Sequence, residues 1–249
     1  MTAIPAEPSA AAPAAPAIET TGLQASIGGS RILQGIDLNV PTASLTALLG
    51  RNGVGKTTTL RSLIGLVPGT GTIRVLGHDV AGWPTHKIIQ LGVGYVPEDR
   101  EVFGRLTVRD NLRLAEAGQA GQASRDMDYD GVYKLFPELK QRARQLAGTL
   151  SGGQQQMLAI GRVLLARRPL LLIDEPTKGL SPKFVSEVVD ALERVRESAT
   201  ILMVEQNVHV VRRLARNVIV LDHGQVAHAG PASDLADEDL VRRLLGVAR

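Results

Sequence analysis

The sequence predicts an α/β fold: a mostly parallel buried sheet with helices on both faces, an antiparallel β part before it, and a helical insertion within it. Three observations carry that expectation. First, short apolar runs recur along the chain: LTALLG (Leu45–Gly50), GVGYVP (Gly92–Pro97), PLLLID (Pro169–Asp174), TILMV (Thr200–Val204) and NVIVLD (Asn217–Asp222). Runs of this length without alternation suit strands buried on both faces. Second, helical patterns stand between several of them. The clearest is Lys183–Ser198, where Phe184, Val185, Val188, Val189, Leu192 and Val195 share one face. Alternating strands and helices imply a parallel sheet. Third, the stretch from about Arg100 to Thr149 is charged, Gln-rich and helical in period, and it lacks a strand run.

The remaining elements follow in order. Residues 1–17 are rich in Ala and Pro and carry an acid at Glu7. They read as a disordered tail, because a secretory signal needs a basic start and an unbroken apolar core. Glu19–Val40 reads as antiparallel strand, with Ile36, Leu38 and Val40 alternating against Asp37 and Asn39. TIRVLG (Thr72–Gly77) adds another short strand. With 44% apolar and 21% charged residues and a net charge of +3, the chain has no polybasic footprint for nucleic acid. Aromatics at 3% are too few for a base-stacking platform. No cysteine is present, which excludes disulfides and thiolate metal sites. No apolar run approaches the roughly 20 residues that cross a bilayer.

Three motifs carry chemistry. GRNGVGKT, Gly50–Thr57, fits the phosphate-loop pattern and follows a strand, as that pattern requires. Gly50, Gly53 and Gly55 let backbone N–H groups turn inward, with Arg51, Asn52, Val54 and Thr58 completing the loop and the start of its helix. The helix opening near Lys56 adds its positive end. Lys56 reaches the β- and γ-phosphates of a nucleotide, and the Thr57 hydroxyl ligates Mg²⁺. The second motif, LLLIDEP, delivers Asp174 and Glu175 at the carboxyl end of a buried strand, where parallel sheets bind ligands. Asp174 suits Mg²⁺, and Glu175 suits polarising an attacking water. The third motif, LSGGQQQ, places Ser151, Gly152, Gly153 and Gln154 at the start of a helix, a second N-terminal anion site with Ser151 as its cap.

In that order the three motifs resemble the ATP-binding-cassette (ABC) ATPases, over about residues 19–245. The resemblance implies a P-loop NTPase (RecA-like) core with an N-terminal antiparallel β part and an inserted α-helical subdomain. It divides the chain into a tail (1–17) and one ATPase domain (18–249). In that domain 18–97 and 155–249 form the core, and 98–154 form the helical part with the signature motif. It implies ATP and Mg²⁺ as ligands. It also implies a head-to-tail pair of cassettes, in which Ser151–Gln154 of one face the γ-phosphate held by the other.

Several positions depart from the common family pattern. Glu98 stands where the family has a magnesium-contacting glutamine, and Ile27 stands where an adenine-stacking aromatic is usual. Gln206 stands in place of the switch histidine, and Gly179–Pro182 lack the usual acid. Gln donates a hydrogen bond to the γ-phosphate but carries no transferable proton. His209 falls three residues late, on the next helix, and Asn207 caps that helix. Together with PEDREVFGRLTVRDNL and DEPTKGLSP, these departures resemble the LivF-like ATPases of branched-chain amino acid importers, to which urea-importer ATPases are closely similar. That resemblance implies partners: membrane permease subunits at the cytoplasmic face, a second and paralogous ATPase subunit, and indirectly a solute-binding protein. Other readings fit less well. A nucleic-acid-directed ABC ATPase usually carries two fused cassettes or a coiled-coil insertion. A regulatory GTPase needs N-K-x-D, which the chain lacks, and no acceptor site suggests a kinase. A binding module without turnover is disfavoured by Glu175.

Overall fold

The structure, a computed structural model, describes residues 15–117 and 128–246. Most of the expected tail, and residues 118–127 of the expected helical insertion, lie outside the described residues. Pairing begins at Ala17, whose N–H donates to the Val40 carbonyl at 2.8 Å and whose own carbonyl accepts from Leu76 at 2.8 Å.

Two sheets organise the chain. β1 (Ile18–Ile27), β2 (Ser30–Val40), β4 (Gly69–Val75) and β5 (His78–Asp79) form an antiparallel sheet in the order β2-β1-β4-β5. The expected Glu19–Val40 region is thus a hairpin. Gly28 (φ 56°) and Gly29 (φ 83°) form its two-residue turn, and positive φ at both positions matches the strand twist. β3 (Leu45–Leu49), β6 (Val93–Val96), β7 (Leu170–Asp174), β8 (Thr200–Val204), β9 (Asn217–Asp222) and β10 (Gln225–Pro231) form the second sheet, ordered β10-β9-β3-β8-β7-β6. All its pairs are parallel except β9–β10.

Every residue of β3, β7 and β8 is buried, which suits their near-continuous apolar runs, with Thr46, Asp174 and Thr200 as the buried polar exceptions. The two-residue period still divides the core. Leu45, Ala47, Leu49, Leu171, Ile173, Ile201 and Met203 face one layer. Leu48, Leu170, Leu172, Leu202 and Val204 face the other, toward the antiparallel sheet.

Helices cover both faces. α1 (Lys56–Leu63) and α2 (Thr85–Gln90) follow the first strands. The inserted region holds α3 (Val108–Ala117), α4 (Tyr129–Leu135) and α5 (Pro137–Gln141), and α6 (Gly152–Leu164) leads back to β7. α7 (Pro182–Val195), α8 (Val208–Leu214) and α9 (Glu238–Leu245) complete the chain. The loop between β6 and α3 is pinned by buried Asn111, whose Oδ1 accepts from Phe103 N–H at 2.9 Å. Its Nδ2 donates to the Phe103 and Thr107 carbonyls, both at 3.0 Å. In the same loop Arg100 (φ 62°) and Glu101 (φ 42°) are consecutive left-handed residues without glycine.

Candidate nucleotide site

Strand order brings the expected residues to one edge. β3, β8, β7 and β6 run parallel and lie in that order across the sheet. Their carboxyl ends therefore deliver Gly50, Asp174–Glu175, Glu205–Gln206 and Glu98 side by side.

The phosphate loop is shaped by its glycines. Gly50 (φ 144°) has no room for a Cβ, which would stand 2.5 Å from the Leu221 carbonyl oxygen. At Gly55 (φ 108°) a Cβ would meet the Leu33 side chain at 2.6 Å. That close approach sets the loop against β2, the strand paired with the one that ends at Ile27. Ile27 itself is 48% exposed beside the hairpin turn, free to offer an apolar surface. Arg51 and Asn52 are exposed, Val54 packs partly into the core, and Thr58 is buried beneath the loop.

Lys56 is buried and its Nζ donates to the carbonyls of Gly50 (2.9 Å) and Arg51 (3.0 Å). Burial lowers its pKa, and the Glu175 and Asp174 carboxylates oppose that shift. Thr57 Oγ1 donates to Asp174 Oδ1 at 3.1 Å, while Asp174 Oδ2 is buried with no partner. Burial chiefly raises the Asp174 pKa to about 6, the Thr57 hydrogen bond opposes this, and Glu98 and Glu175 add to it. A hydroxyl beside a carboxylate with an orphaned oxygen is a hard-oxygen donor set that fits Mg²⁺.

Glu175 is the most constrained residue of the site. Its backbone is left-handed (φ 45°), a conformation uncommon for a residue with a side chain. Its Oε1 accepts from Gln206 Nε2, and that same amide nitrogen donates to Asn52 Oδ1 at 2.7 Å. Gln206 thus ties the phosphate loop to the carboxylate. His209 is exposed on α8, and Asn207 caps that helix by accepting from the His209 (3.1 Å) and Val210 (3.4 Å) N–H groups. Glu98 lies in an ion pair with Lys178, which also meets Glu175 Oε2 at 3.0 Å.

Sequence reasoning missed two residues here. Glu205 is buried, and its Oε2 accepts from Thr177 Oγ1 at 2.6 Å. Its Oε1 accepts from the N–H groups of Gln206 (2.7 Å) and Asn207 (2.9 Å). It clamps the end of β8 to the turn after β7, which fixes Gln206 relative to Glu175. An acid closing a buried strand was its only sequence signal. Lys178 had none beyond its spacing of three from Glu175.

Ser151–Gln154 belong to a different place. Ser151 caps α6 by accepting from the Gln154 N–H at 3.4 Å, and Gln154 Oε1 accepts from the Ser151 N–H at 3.0 Å. A Cβ on Gly153 would stand 2.3 Å from the Phe184 ring of α7, and one on Gly152 would stand 2.5 Å from Arg100 Nη1. Among the described residues no hydrogen bond joins Ser151–Gln154 to the phosphate loop.

Fold and site together define a P-loop nucleotide hydrolase with a second, separate glycine-containing helix start at α6. The ABC transporter family model matches residues 33–178. The chain is 38% identical to the high-affinity branched-chain amino acid transport ATP-binding protein BraG of Pseudomonas aeruginosa, over 86% of this chain and 93% of that one. It is 36% identical to the probable branched-chain amino acid transport ATP-binding protein LivF of Archaeoglobus fulgidus, over 91% and 97%. Among solved structures, the ATP-binding subunit of an ABC transporter superposes with a TM-score of 0.78 at 25% identity, covering 90% of this chain and 94% of that one. The chain belongs to the ABC transporter family and is an ATP-binding, ATP-hydrolysing transport ATPase.

Proposed function

We propose that this chain is the ATPase subunit of an importer for branched-chain amino acids. In this reading it acts at the cytoplasmic face through separate permease subunits, with a second, paralogous cassette completing each site. The observation that carries the reading is the convergence of Lys56, Thr57, Asp174, Glu175 and Gln206 on one sheet edge, while Ser151–Gln154 stand apart and leave that site half-built. The solute class rests on the two branched-chain amino acid transport relatives.

Gly50–Thr57 and Lys56 hold and neutralise the ATP phosphates. Thr57 and Asp174, with Glu98 nearby, would hold Mg²⁺, which neutralises charge developing on the phosphates. Glu175 orients water and draws its proton as the water oxygen bonds to the γ-phosphorus and the bond to the ADP oxygen breaks. Gln206 positions Glu175 against Asn52 without taking a proton itself. Ile27 supplies apolar contact for adenine. Residues 98–154 act as the helical part that presents Ser151–Gln154 to the other cassette.

A groove of about 400 Å³ between core and insertion is lined by Tyr95, Pro97, Phe103, Leu114 and Arg162. Phe103 (48% exposed) and Leu114 (41%) offer it large apolar surface, which suits a permease segment. No helix among the described residues is long and apolar enough to cross a membrane, so the reading places the solute path on other chains.

The test is Glu175→Gln. Turnover should fall by about 10²–10⁴ while ATP still binds, and size-exclusion chromatography should show an ATP-dependent dimer with the partner cassette. Normal hydrolysis by that variant would sink the catalytic assignment. Co-expression with the cognate permease should give ATP-dependent uptake of leucine, and uptake of urea instead would overturn the solute class.

A further inference from the structure

Three carboxylates, Asp174, Glu175 and Glu98, crowd the same sheet edge, and two lysines answer them. Lys56 donates to the Gly50 and Arg51 carbonyls within the phosphate loop and forms no ion pair with the carboxylates among the described residues. Lys178 does: its ammonium meets Glu98 Oε1 and Glu175 Oε2, carboxylates delivered by two different strands. It is held charged chiefly by hydrogen bonds to Glu98 and then Glu175. The Lys178 side chain is 54% exposed and Glu98 33%, whereas Glu175 is 7% exposed. The bridge to Glu98 can therefore open into solvent without disturbing the core, and the bridge to Glu175 has the firmer anchor. A dication approaching Thr57 and Asp174 meets an ammonium already seated on the neighbouring Glu98, and the two cations repel.

We propose that Lys178 is a positioning residue that acts as a displaceable counter-ion. Before the metal–nucleotide complex binds, it ties Glu98 to Glu175. It yields Glu98 when the dication arrives and keeps its hold on Glu175. This rests on the nucleotide-site reading above, and it adds to that reading a residue which sets the dication dependence of ATP binding.

The measurement is the affinity of the full chain for a fluorescent, non-hydrolysable ATP analogue, with Mn²⁺ and with EDTA. The ratio of the two affinities reports metal coupling without any turnover. Lys178→Gln should raise that ratio by about 5-fold, the scale of a partly exposed ion pair. Lys178→Arg should leave it at the wild-type value. In a Glu98→Gln background, Lys178→Gln should add nothing, because the competition runs through Glu98. An unchanged or lower ratio in Lys178→Gln overturns the proposal, as does a full 5-fold effect persisting without Glu98. A wild-type affinity indifferent to Mn²⁺ overturns the metal reading and this proposal with it. Thermal unfolding of each variant, expected within the small range of exposed substitutions, separates these outcomes from misfolding.

Discussion

The chain has two glycine-rich loops that open helices, and they are finished in opposite ways. The phosphate loop enters α1 through Gly55 in a left-handed conformation, with no side chain capping the helix. Gly50, Gly53 and Gly55 all have positive φ, so the loop is a backbone cradle whose N–H groups have no partner of their own side-chain kind. The signature loop enters α6 through Ser151 with a complete capping box, and Gly152 and Gly153 are helical. At Gly153 glycine serves packing, since the Phe184 ring occupies the space a side chain would need. An uncapped helix start leaves its first N–H groups available to a ligand, whereas a capping box satisfies two such groups within the chain. The proposed function assigns the first loop to nucleotide in its own chain and the second to a neighbouring cassette.

Substitution should separate the two loops. The largest effect is expected at Lys56. Lys56→Ala removes the buried cation of the cradle and should lower ATP turnover by about 10²–10³, as losses of preorganised charge stabilisation do. The same change should leave α6 and its cap intact, which backbone amide exchange would verify. A comparable loss of α6 protection would show the loops are not independent.

The next contrast is with pH. Asp174, raised to about 6 by burial, keeps its proton in the folded chain where the unfolded chain has lost it. Its contribution to stability is therefore present at about pH 4 and is lost as pH rises through about 6. Denaturation midpoints of the nucleotide-free chain, compared with Asp174→Asn across that range, should differ in slope. Parallel curves would refute the shift.

The smallest effect is at the signature loop. Ser151→Ala should cost about 1 kcal/mol of stability through the lost cap, read by denaturant unfolding, with nucleotide affinity of the isolated chain unchanged. A drop in that affinity would contradict the separation of the two loops.

Legibility in the sequence follows the same physics. β3, β7 and β8 were readable because burial on both faces favours near-continuous apolar runs. The Ser151–Gln154 cap was half-readable from spacing. β10 was not, because Gln225–Pro231 alternates exposed with half-buried residues and owes its pairing to the open edge of β9. The division of Glu19–Val40 at Gly28–Gly29 was overlooked although its turn chemistry is local. In the site, motif residues were legible because their chemistry is tied to the chain around them. Lys178 and Glu205 were not, since each acts across strands that only the folded sheet places together.

One consequence of the sheet order concerns mechanics. β3, which carries the phosphate loop, is hydrogen-bonded on both sides by β8 and β9, whereas β6, which carries Glu98, is the terminal strand with β7 on one side alone. A marginal strand is the easier one to displace, and the groove that borders it draws Tyr95 from that strand and Phe103 from the loop that follows it. Glu98 therefore sits on the least supported strand of the site and Thr57 beside the best supported one, so a load applied at the groove would reach the Glu98 side first.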